Sequence, residues 1–314
     1  MSESNVESQK LKGDSGHIPV LLHEVIEGLS IKKGATVVDA TLGRAGHARI
    51  IADKIGEEGR LIAIDADYNN IVHSEEILGN VGCKVEFVND NFRRMEVILG
   101  KLLSGYESVD GFIFDLGLNS IQLDESGRGF SFLSDEPLIM TLSTGPDSDA
   151  VTASDIINGW SQESIETILR GFGGEQFAGR IARHIVEARA RGKIRTTLEL
   201  ATIVRTAVPD FYKKRRINCA TKTFQALRIA VNDEFGAIKE GISGAWRYLK
   251  NGGRIAVISF HDGEDRIVKS LYRDMKKSGG RIINKKVIVP SRDEIRDNPR
   301  SRSAKLRIIE KNEV

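Results

Sequence analysis

A turn that contains two glycines follows the first predicted strand and leads directly into a predicted helix. The strand ends at Asp39, the turn contains Gly43 and Gly46, and the helical pattern runs from His47 to Ile55. Small residues at such a junction let a ligand approach the backbone closely, and the helix start offers N–H groups without an intrahelical partner. A tight turn required only by the fold would have the same sequence, so the turn alone leaves both roles open.

Asp65 closes the second predicted strand, 22 residues after Gly43. A carboxylate at this place in an α/β fold can accept both hydroxyls of a ribose, so the pair indicates a nucleoside cofactor. A nicotinamide dinucleotide is disfavoured because the turn lacks the second and third glycines of G-x-G-x-x-G, and because Asp39 would place negative charge near a pyrophosphate. S-adenosylmethionine has no phosphate and carries an ammonium and a sulfonium group, which an acid before the turn suits better.

Polar residues also follow the third predicted strand, in the run from Asn89 to Phe92. An Asp or Asn there can bind the amino group of adenine, and Phe92 can pack on the ring. A polar turn beside a core aromatic residue is the alternative interpretation.

Asp115 ends the fourth predicted strand, and amide side chains follow at Asn119 and Gln122. Ligands bind in open α/β sheets at the carboxyl ends of the strands, where these groups lie. Methylation of an exocyclic amine requires the nitrogen lone pair to face the methyl group, and oxygen acceptors that hold the amine hydrogens achieve this. The segment therefore suits methyl transfer to an amine, although the Asp-Pro-Pro-Tyr motif of many DNA amino-methyltransferases is absent.

Strands and helices must alternate to bring these residues to one edge of a sheet. Short apolar runs rich in Val, Ile and Phe predict four early strands, at Ala35–Asp39, Arg60–Asp65, Lys84–Val88 and Gly111–Asp115. Helical patterns between them indicate a parallel sheet covered on both faces. The fifth strand is predicted only at Arg254–Phe260. The stretch of chain between the fourth and fifth strands is therefore far longer than the roughly 12 residues that a crossover needs. We therefore infer an inserted domain.

The insertion has the pattern of a helical domain. Residues 152–208 carry apolar side chains at helical spacing, with Ser154 and Ser161 as predicted N-caps. A helix from Thr221 to about Leu249 then returns to the main domain, and Ala304–Ile309 predicts a last strand. We expect three parts: a disordered tail at residues 1–16, a main domain at 17–124 and 218–314, and an inserted helical domain at 125–217.

The net charge of +2 hides a strong asymmetry along the chain. Residues 1–179 carry 14 Lys and Arg against 29 Asp and Glu, whereas residues 180–228 carry 13 against 3 and residues 265–309 carry 14 against 5. Basic stretches of this kind favour a polyanionic partner, with solvated helix faces as the alternative.

Composition excludes several classes of protein. No apolar run approaches the roughly 18 residues of a membrane span, and the 40% hydrophobic content is enough for a buried core. Two distant cysteines support neither a disulfide framework nor a zinc site, and we expect no metal. The polar start lacks a targeting pattern, so we expect a cytoplasmic protein.

Many segments together resemble one family, the bacterial 16S ribosomal RNA cytosine-N4 methyltransferases of the MraW type, also called ribosomal RNA small subunit methyltransferase H. The resemblance covers nearly everything after the tail, in the same order. Its pieces are His17–Leu22, Asp39–His47, Asp65–Asp67, Asp115–Gly117, Gln122–Asp124, Arg128–Phe132, Gly174–Glu175 with Ala178, Arg180–Ala182, Thr223–Arg228, Val231–Asn232 with Glu234, Gly252–Arg254, Ser259–His261, Glu264–Arg266, Asn298–Arg300 and Arg302–Ser303.

The resemblance implies an α/β fold, namely a Rossmann-like class I S-adenosylmethionine-dependent methyltransferase with an inserted all-helical domain. It implies that S-adenosylmethionine is the cofactor and that a cytidine in the decoding centre of small-subunit ribosomal RNA, free or in the 30S particle, is methylated at N4. The residues implied to bind the cofactor are Ala45, Gly46 and His47 at the methionine end, Asp65 at the ribose, Phe92 at the adenine, and Asp115 with Gln122. The oligomeric state stays open, with a homodimer as one option.

Catalytic and RNA-binding residues can also be proposed. Asp115 and Asn119 are the predicted catalytic acceptors, and His261, which closes the fifth strand at the same edge, is predicted to contact the cytidine. A histidine that only makes a local hydrogen bond is the alternative. The predicted RNA-binding residues are basic and contact phosphates: Arg180, Arg183, Lys213, Lys214, Arg215 and Arg216. Arg292, Arg296, Arg300, Arg302 and Lys305 form a second predicted basic patch.

The chain departs from the family pattern at four places, one of which is Asp262-Gly263 in place of the Ser-Leu that follows the Phe-His pair. Ala45-Gly46 stands where the family has two glycines, and Asn119-Ser-Ile-Gln122 replaces Ser-Ser-Pro-Gln. The family also has a Pro-Leu-Asp-Met-Arg-Met segment. In this chain Ile139 replaces its aspartate and Thr141 replaces its arginine. These changes leave a second hypothesis open, a catalytically weakened relative that binds RNA or an assembling ribosome. A nicotinamide-dependent dehydrogenase is the third and least favoured hypothesis.

Overall fold

The computed structural model describes residues 19–105, 107–143 and 150–313, so the predicted tail at residues 1–16 lies outside the described residues. The chain divides into two compact units. The first unit runs to Gly117 and resumes at Phe235, and the second comprises Leu118–Glu234. In the part of the chain that the structure describes, no helix is long and apolar enough to cross a bilayer.

The helices and strands alternate in the first unit, and helices dominate the second. The strands are β1 (Thr36–Asp39), β2 (Arg60–Asp65), β3 (Lys84–Asn89), β4 (Val109–Asp115), β5 (Leu249–Ser259), β6 (Gly280–Ile282) and β7 (Lys305–Lys311). The α-helices are α1 (Leu22–Leu29), α2 (Gly46–Ile55), α3 (Tyr68–Leu78), α4 (Met95–Leu102), α5 (Ser120–Asp124), α6 (Ala153–Gly159), α7 (Gln162–Gly171), α8 (Ala178–Arg189), α9 (Thr197–Ala207), α10 (Asp210–Lys213), α11 (Thr221–Asn232), α12 (Glu234–Tyr248), α13 (Asp262–Lys277) and α14 (Arg292–Asp297). Short 3₁₀ helices span Phe92–Arg94 and Pro299–Ser303.

The seven strands form one sheet in the order β3-β2-β1-β4-β5-β7-β6. Strands β1 to β5 are parallel, and β7 runs antiparallel to both β5 and β6. The chain order reverses between β1 and β4, which pair through Asp39 and Ile113 at their carboxyl ends. A reversal of this kind opens a crevice beyond the strand ends, and Asp39, Asp65 and Asp115 lie at those ends.

Each face of the sheet packs its own hydrophobic core. Val37 joins a cluster with α1 and α2, whereas the next residue, Val38, joins a cluster on the opposite face with α4, α12 and α13. Side chains alternate across a strand, so a strand covered on both faces must be apolar at consecutive positions. This requirement explains the continuous apolar runs that predicted the strands.

The second unit has a separate hydrophobic core, formed mainly by α6 to α9 and α11. Its presence between β4 and β5, together with the largely parallel sheet, confirms the predicted Rossmann-like α/β fold with an inserted all-helical domain. Its range, Leu118–Glu234, is wider than the predicted 125–217, because α11 packs its buried Phe224 and Leu227 into this core.

Two local predictions were wrong. The helix predicted from Thr221 to about Leu249 is divided at Asp233, whose φ of 41° lies in the left-handed region and ends α11. Ser154 is not an N-cap, since Thr152 caps α6 by accepting a hydrogen bond from the Asp155 N–H. The predicted cap at Ser161 is confirmed, because its hydroxyl accepts a hydrogen bond from the Ser164 N–H.

We expect Glu310 to fix the antiparallel edge of the sheet. Its carboxylate accepts hydrogen bonds from Arg254 of β5 at 2.8 Å and from Arg281 of β6 at 2.6 Å, and its side chain is only 9% exposed. Glu310→Gln should lower the free energy of unfolding by about 1–3 kcal/mol. Arg281→Gln, which changes a largely exposed partner, should cost less than about 1 kcal/mol. Urea unfolding of both variants checks this, and equal losses would contradict it.

Candidate active site

A hydrogen-bonded bridge joins the carboxyl ends of β1 and β4. The buried carboxylate of Asp39 accepts a hydrogen bond from the Thr41 N–H at 3.1 Å. The Thr41 hydroxyl oxygen in turn accepts one from the Asp115 N–H at 2.6 Å. The bridge therefore positions Asp115 from the neighbouring strand, at the place where the strand order reverses.

Asp65 holds the glycine turn against the end of β2. One oxygen of its carboxylate accepts a hydrogen bond from the Gly43 N–H and the other from the Asp67 N–H, each at 2.8 Å. A carboxylate oxygen has two lone pairs, so these bonds leave acceptor capacity for ribose hydroxyls. Asp65 is predicted to bind the ribose. The structure adds a second role, because the same side chain fixes the glycine turn.

The turn places two residues in the left-handed region, Gly43 at φ 51° and Ala45 at φ 60°. For a residue with a Cβ this conformation costs about 1–2 kcal/mol. A glycine avoids this cost, which explains why the family has a glycine at the position of Ala45. At Gly46 a Cβ would lie 2.4 Å from Cγ of Pro19, so the helix start fits closely against the segment before α1. Ala45 makes no side-chain cap, and the first turn of α2 is suited to a carboxylate ligand.

His47 lies behind Asp115. Its ring is buried, Nε2 is 3.0 Å from the carbonyl oxygen of Val20, and Nδ1 is 3.7 Å from Oδ2 of Asp115. Because a carbonyl only accepts hydrogen bonds, Nε2 carries a proton and Nδ1 faces the carboxyl group. The side chain of His47 therefore supports Asp115, and any contact with the methionine end would use its backbone.

Asp39 is buried at this edge, and the carboxyl groups of Asp65 and Asp115 are half-buried near it. Burial and the nearby charges of Asp39 and Glu264 raise the pKa of Asp115 to about 8. Burial, with a smaller contribution from Asp65, raises the pKa of Asp39 to about 7, and burial also raises the pKa of Asp65. Oδ1 of Asp115 is buried and has no hydrogen-bond partner among the described residues. A ligand with positive charge or an N–H donor would satisfy this atom.

The structure places His261 at the start of α13. Its Nδ1 accepts a hydrogen bond from the Glu264 N–H at 3.3 Å, and its Nε2 lies 3.1 Å from the Glu264 carboxylate. Glu264 is buried and also accepts a hydrogen bond from the Phe260 N–H at 2.7 Å. Capping is thus an evident role of His261, and its predicted contact with the cytidine stays a prediction.

Three other predicted site residues have clear structural surroundings. Phe92 packs edge-on against Phe114 of the first unit, with ring centroids 5.6 Å apart. Asn119 and Gln122 belong to the second unit, where they form a reciprocal cap of α5: the Gln122 N–H donates to Asn119 at 2.8 Å and the Asn119 N–H donates to Gln122 at 3.2 Å. Their roles in binding and catalysis stay predictions.

The predicted RNA-binding residues differ in their electrostatic partners. Arg183 lies 3.5 Å from Glu187, and Lys213 lies 2.9 Å from Asp210. The remaining four are exposed, and no acidic side chain in the described ranges pairs with them: Arg180, Lys214, Arg215 and Arg216.

The second predicted basic patch is weaker than its sequence suggests. Arg296 pairs with Asp293 and Asp297 at 2.9 and 3.1 Å, and Lys305 pairs with Asp262 at 2.5 Å. Asp262 is distant from Lys305 in the sequence but close to it in the fold. A count of basic residues along the sequence therefore overestimates the positive charge of this patch.

Sequence reasoning missed Thr41 and the buried position of Glu264. Thr41 offered no pattern of its own, since a threonine near a turn is common. Glu264 stands three residues after His261, the spacing of a reciprocal helix cap, which was the available indication.

We expect Thr41→Val to disrupt the bridge between β1 and β4. Valine has the shape of threonine but no oxygen, so the Asp115 N–H loses its acceptor, which should cost about 1–3 kcal/mol of unfolding free energy. Thr41→Ser keeps the acceptor and serves as the matched control. Urea unfolding of the pair checks this, and a serine variant as unstable as the valine variant would refute the bridge.

We expect the stability of the ligand-free protein to fall as the pH rises from about 4 to about 8. The pKa values of Asp39 and Asp115 lie above the ordinary 3.8, so the folded state binds more protons than the unfolded chain in this range. Asp115→Asn should therefore be more stable than the natural chain by at least about 1 kcal/mol at pH 8, with the difference vanishing near pH 4. Denaturant titrations at both pH values check this, and a pH-independent difference would contradict it.

Comparison with known proteins identifies the family. The family model described as the MraW methylase family matches residues 14–312. A relative from Paenibacillus sp. strain JDR-2, named Ribosomal RNA small subunit methyltransferase H, is 44% identical over 94% of this chain and 99% of its own length. A relative of the same name from Neorickettsia sennetsu is also 44% identical, over 94% of this chain and 96% of its own.

Among solved structures, an rRNA methylase from Streptococcus thermophilus is 12% identical, with 93% of each chain covered and a TM-score of 0.43. The family model and the two relatives extend over nearly all of this chain. The chain belongs to the MraW methylase family.

Proposed function

We propose that this protein transfers a methyl group from S-adenosylmethionine to N4 of a cytidine in the decoding centre of small-subunit ribosomal RNA. Membership of the MraW methylase family confirms the predicted cofactor. The names of the relatives from Paenibacillus and Neorickettsia support ribosomal RNA of the small subunit as the substrate. The observation that carries the chemistry is the buried Oδ1 of Asp115, which has no hydrogen-bond partner among the described residues.

The residues of the first unit fit the cofactor. S-adenosylmethionine, when bound, supplies an electrophilic methyl group on a positively charged sulfur. The acids at the strand ends complement this charge, because burial, and to a smaller degree repulsion by nearby carboxylates, raises the pKa values of Asp39 and Asp115, and a cation stabilises their charged forms. We assign the methionine carboxylate to the first turn of α2, the ribose hydroxyls to Asp65 and the adenine to Phe92.

Asp115 is the proposed acceptor for the target amine. Its open oxygen accepts a hydrogen bond from N4, which turns the nitrogen lone pair away from the carboxylate. The amine loses one proton on methylation, and the Asp115 carboxylate can accept it, because burial raises the pKa of this group above its ordinary value. His47 holds the carboxyl group from behind.

The helical unit supplies the proposed RNA-binding surface. The range 180–228 carries 13 basic against 3 acidic residues, and it lies within this unit. Arg180 and the run Lys214–Arg216 are exposed, so they can neutralise phosphates and position the RNA without reading its sequence.

Hydrogen bonds fix the backbone of residues 137–142, the segment in which Ile139 and Thr141 replace the aspartate and the arginine of the family pattern. The side chain of Asn232 donates to the Met140 carbonyl and accepts from the Leu142 N–H, both at 2.8 Å. Arg128 donates to the Thr141 carbonyl at 3.0 Å. Ile139 and Thr141 therefore change side chains within a segment whose backbone is still fixed, and the catalytically weakened relative stays the second candidate function.

Methylation assays test the proposal. The protein, labelled S-adenosylmethionine and either 30S particles or naked rRNA should yield N4-methylcytidine, identified by nucleoside mass spectrometry. Asp115→Asn should lower the rate by about 10²-fold or more. Asp274→Asn, which changes an exposed acid of α13, is the control and should keep the rate.

Three outcomes would contradict the proposal. Failure to bind the cofactor would exclude methyl transfer by this site. Cofactor binding without turnover on either substrate would favour the RNA-binding relative. A methyl group on another base or another atom would leave methyl transfer intact but exclude N4 of cytidine.

A further inference from the structure

We propose that Phe211 is a stacking platform for one unpaired base of RNA, and that the cations at Lys214, Arg215 and Arg216 bind the phosphates beside that base. We call residues 211–217 the stacking segment. The inference rests on the proposed function, in that RNA is taken as the substrate, and it assigns a base-binding role to a residue of the helical unit.

Phe211 presents an aromatic face to solvent. Its side chain is 60% exposed, whereas the next residue, Tyr212, is 4% exposed. Neighbouring residues on a helix point in different directions, so burial of Tyr212 turns Phe211 outward. Phe177 supports the Phe211 ring from one side, with centroids 6.1 Å apart and planes at 65°.

A buried hydrogen bond anchors the platform. The Tyr212 hydroxyl donates to the Glu175 carboxylate at 2.8 Å, and the other oxygen of Glu175 accepts from the Phe177 N–H at 2.8 Å. Burial and the Glu175 bond raise the pKa of Tyr212 well above its ordinary value, so the phenol stays a donor. Tyr212 also packs edge-on against Phe177 at 5.0 Å. The platform is thus preorganised, and stacking a base on it orders little additional chain.

Three cations follow the platform without acidic partners. Lys213 is neutralised by Asp210, but within the described part of the chain no acid pairs with Lys214, Arg215 or Arg216. The Arg215 guanidinium lies 4.7 Å from the centre of the Tyr212 ring, which keeps it close to the anchored helix. Cations without acidic partners next to an exposed aromatic residue are a combination that binds single-stranded nucleic acid.

Charge favours RNA over a protein partner at this surface. The core of a protein interface is depleted of charge, and three exposed cations directly after Phe211 in the chain, without acidic partners, would be costly to bury there. RNA brings phosphates to those cations, and every unpaired base has a face for the ring. A duplex hides these faces, so the stacking segment should prefer single strands.

Binding of fluorescent RNA to the full-length protein tests the inference. The probes are an unstructured pyrimidine-rich oligonucleotide and a blunt-ended RNA duplex of equal length. Phe211→Ala should weaken binding of the single strand about tenfold with an unchanged salt dependence, and should change duplex binding by less than about twofold. Phe211→Trp should keep the affinity, whereas Phe211→Leu should resemble the alanine variant because leucine has no π face.

The cations have a separate readout. Replacement of Lys214, Arg215 and Arg216 together by Gln should make the dependence of log Kd on log salt shallower by about 2, since each phosphate contact on a single strand contributes about 0.7. Leu198→Ala changes another exposed apolar residue of this unit and serves as the control, with unchanged binding expected. Phe211→Ala should keep the thermal unfolding midpoint, because the side chain is mostly exposed.

Two results would overturn the inference. Unchanged single-strand binding by Phe211→Ala excludes stacking, and full affinity in Phe211→Leu indicates a merely apolar contact of the kind that a protein partner would make. Because the probes are bound without cofactor, the test is independent of turnover. Loss of methylation with intact Phe211-dependent binding refutes the proposed function alone, and methylation with Phe211-independent binding refutes this inference alone.

Discussion

The candidate active site of the first unit depends on three carboxyl groups that the fold brings close together, one buried and two half-buried. Asp39, Asp65 and Asp115 end neighbouring parallel strands, so the sheet itself brings their charges together. The backbone N–H groups of Gly43 and Asp67 compensate Asp65, and the Thr41 N–H compensates Asp39 in part. Asp115 keeps one buried oxygen without a hydrogen-bond partner in the described residues. The protein therefore bears an electrostatic cost that a cationic cofactor can remove, a common trade between stability and function.

Much of this site was predictable because strand ends are visible in a sequence. Asp65 and Asp115 close apolar runs, and parallel strands bring such ends to one edge. The glycine turn was recognisable for the same reason, since Gly43 and Gly46 separate a strand pattern from a helical pattern. The order of strands and helices thus predicted where the site lies, and the acidic side chains predicted only the kind of ligand.

The parts that sequence reasoning missed depend on contacts between distant residues or on single dihedral angles. The Thr41 hydroxyl meets an N–H that is 74 positions away, which no local pattern encodes. Asp233 breaks a continuous helical pattern by adopting a left-handed conformation that aspartate reaches without glycine. Arg296 and Lys305 look like free cations in the sequence, but the fold supplies their acids. His47 matched a ligand-binding motif, and the structure shows its ring directed at Val20 and Asp115.

The position of β7 has a consequence for folding. This strand lies between β5 and β6 and is the last of the sheet in chain order, so β5 keeps an open hydrogen-bonding edge until Lys305–Lys311 has been synthesised. The inserted unit, by contrast, has its own core and consists of contacts that are close in the chain, so it can fold earlier during translation. Nascent chains should therefore carry a folded inserted unit before a complete sheet, and in that interval the unpaired edge of β5 is exposed to aggregation.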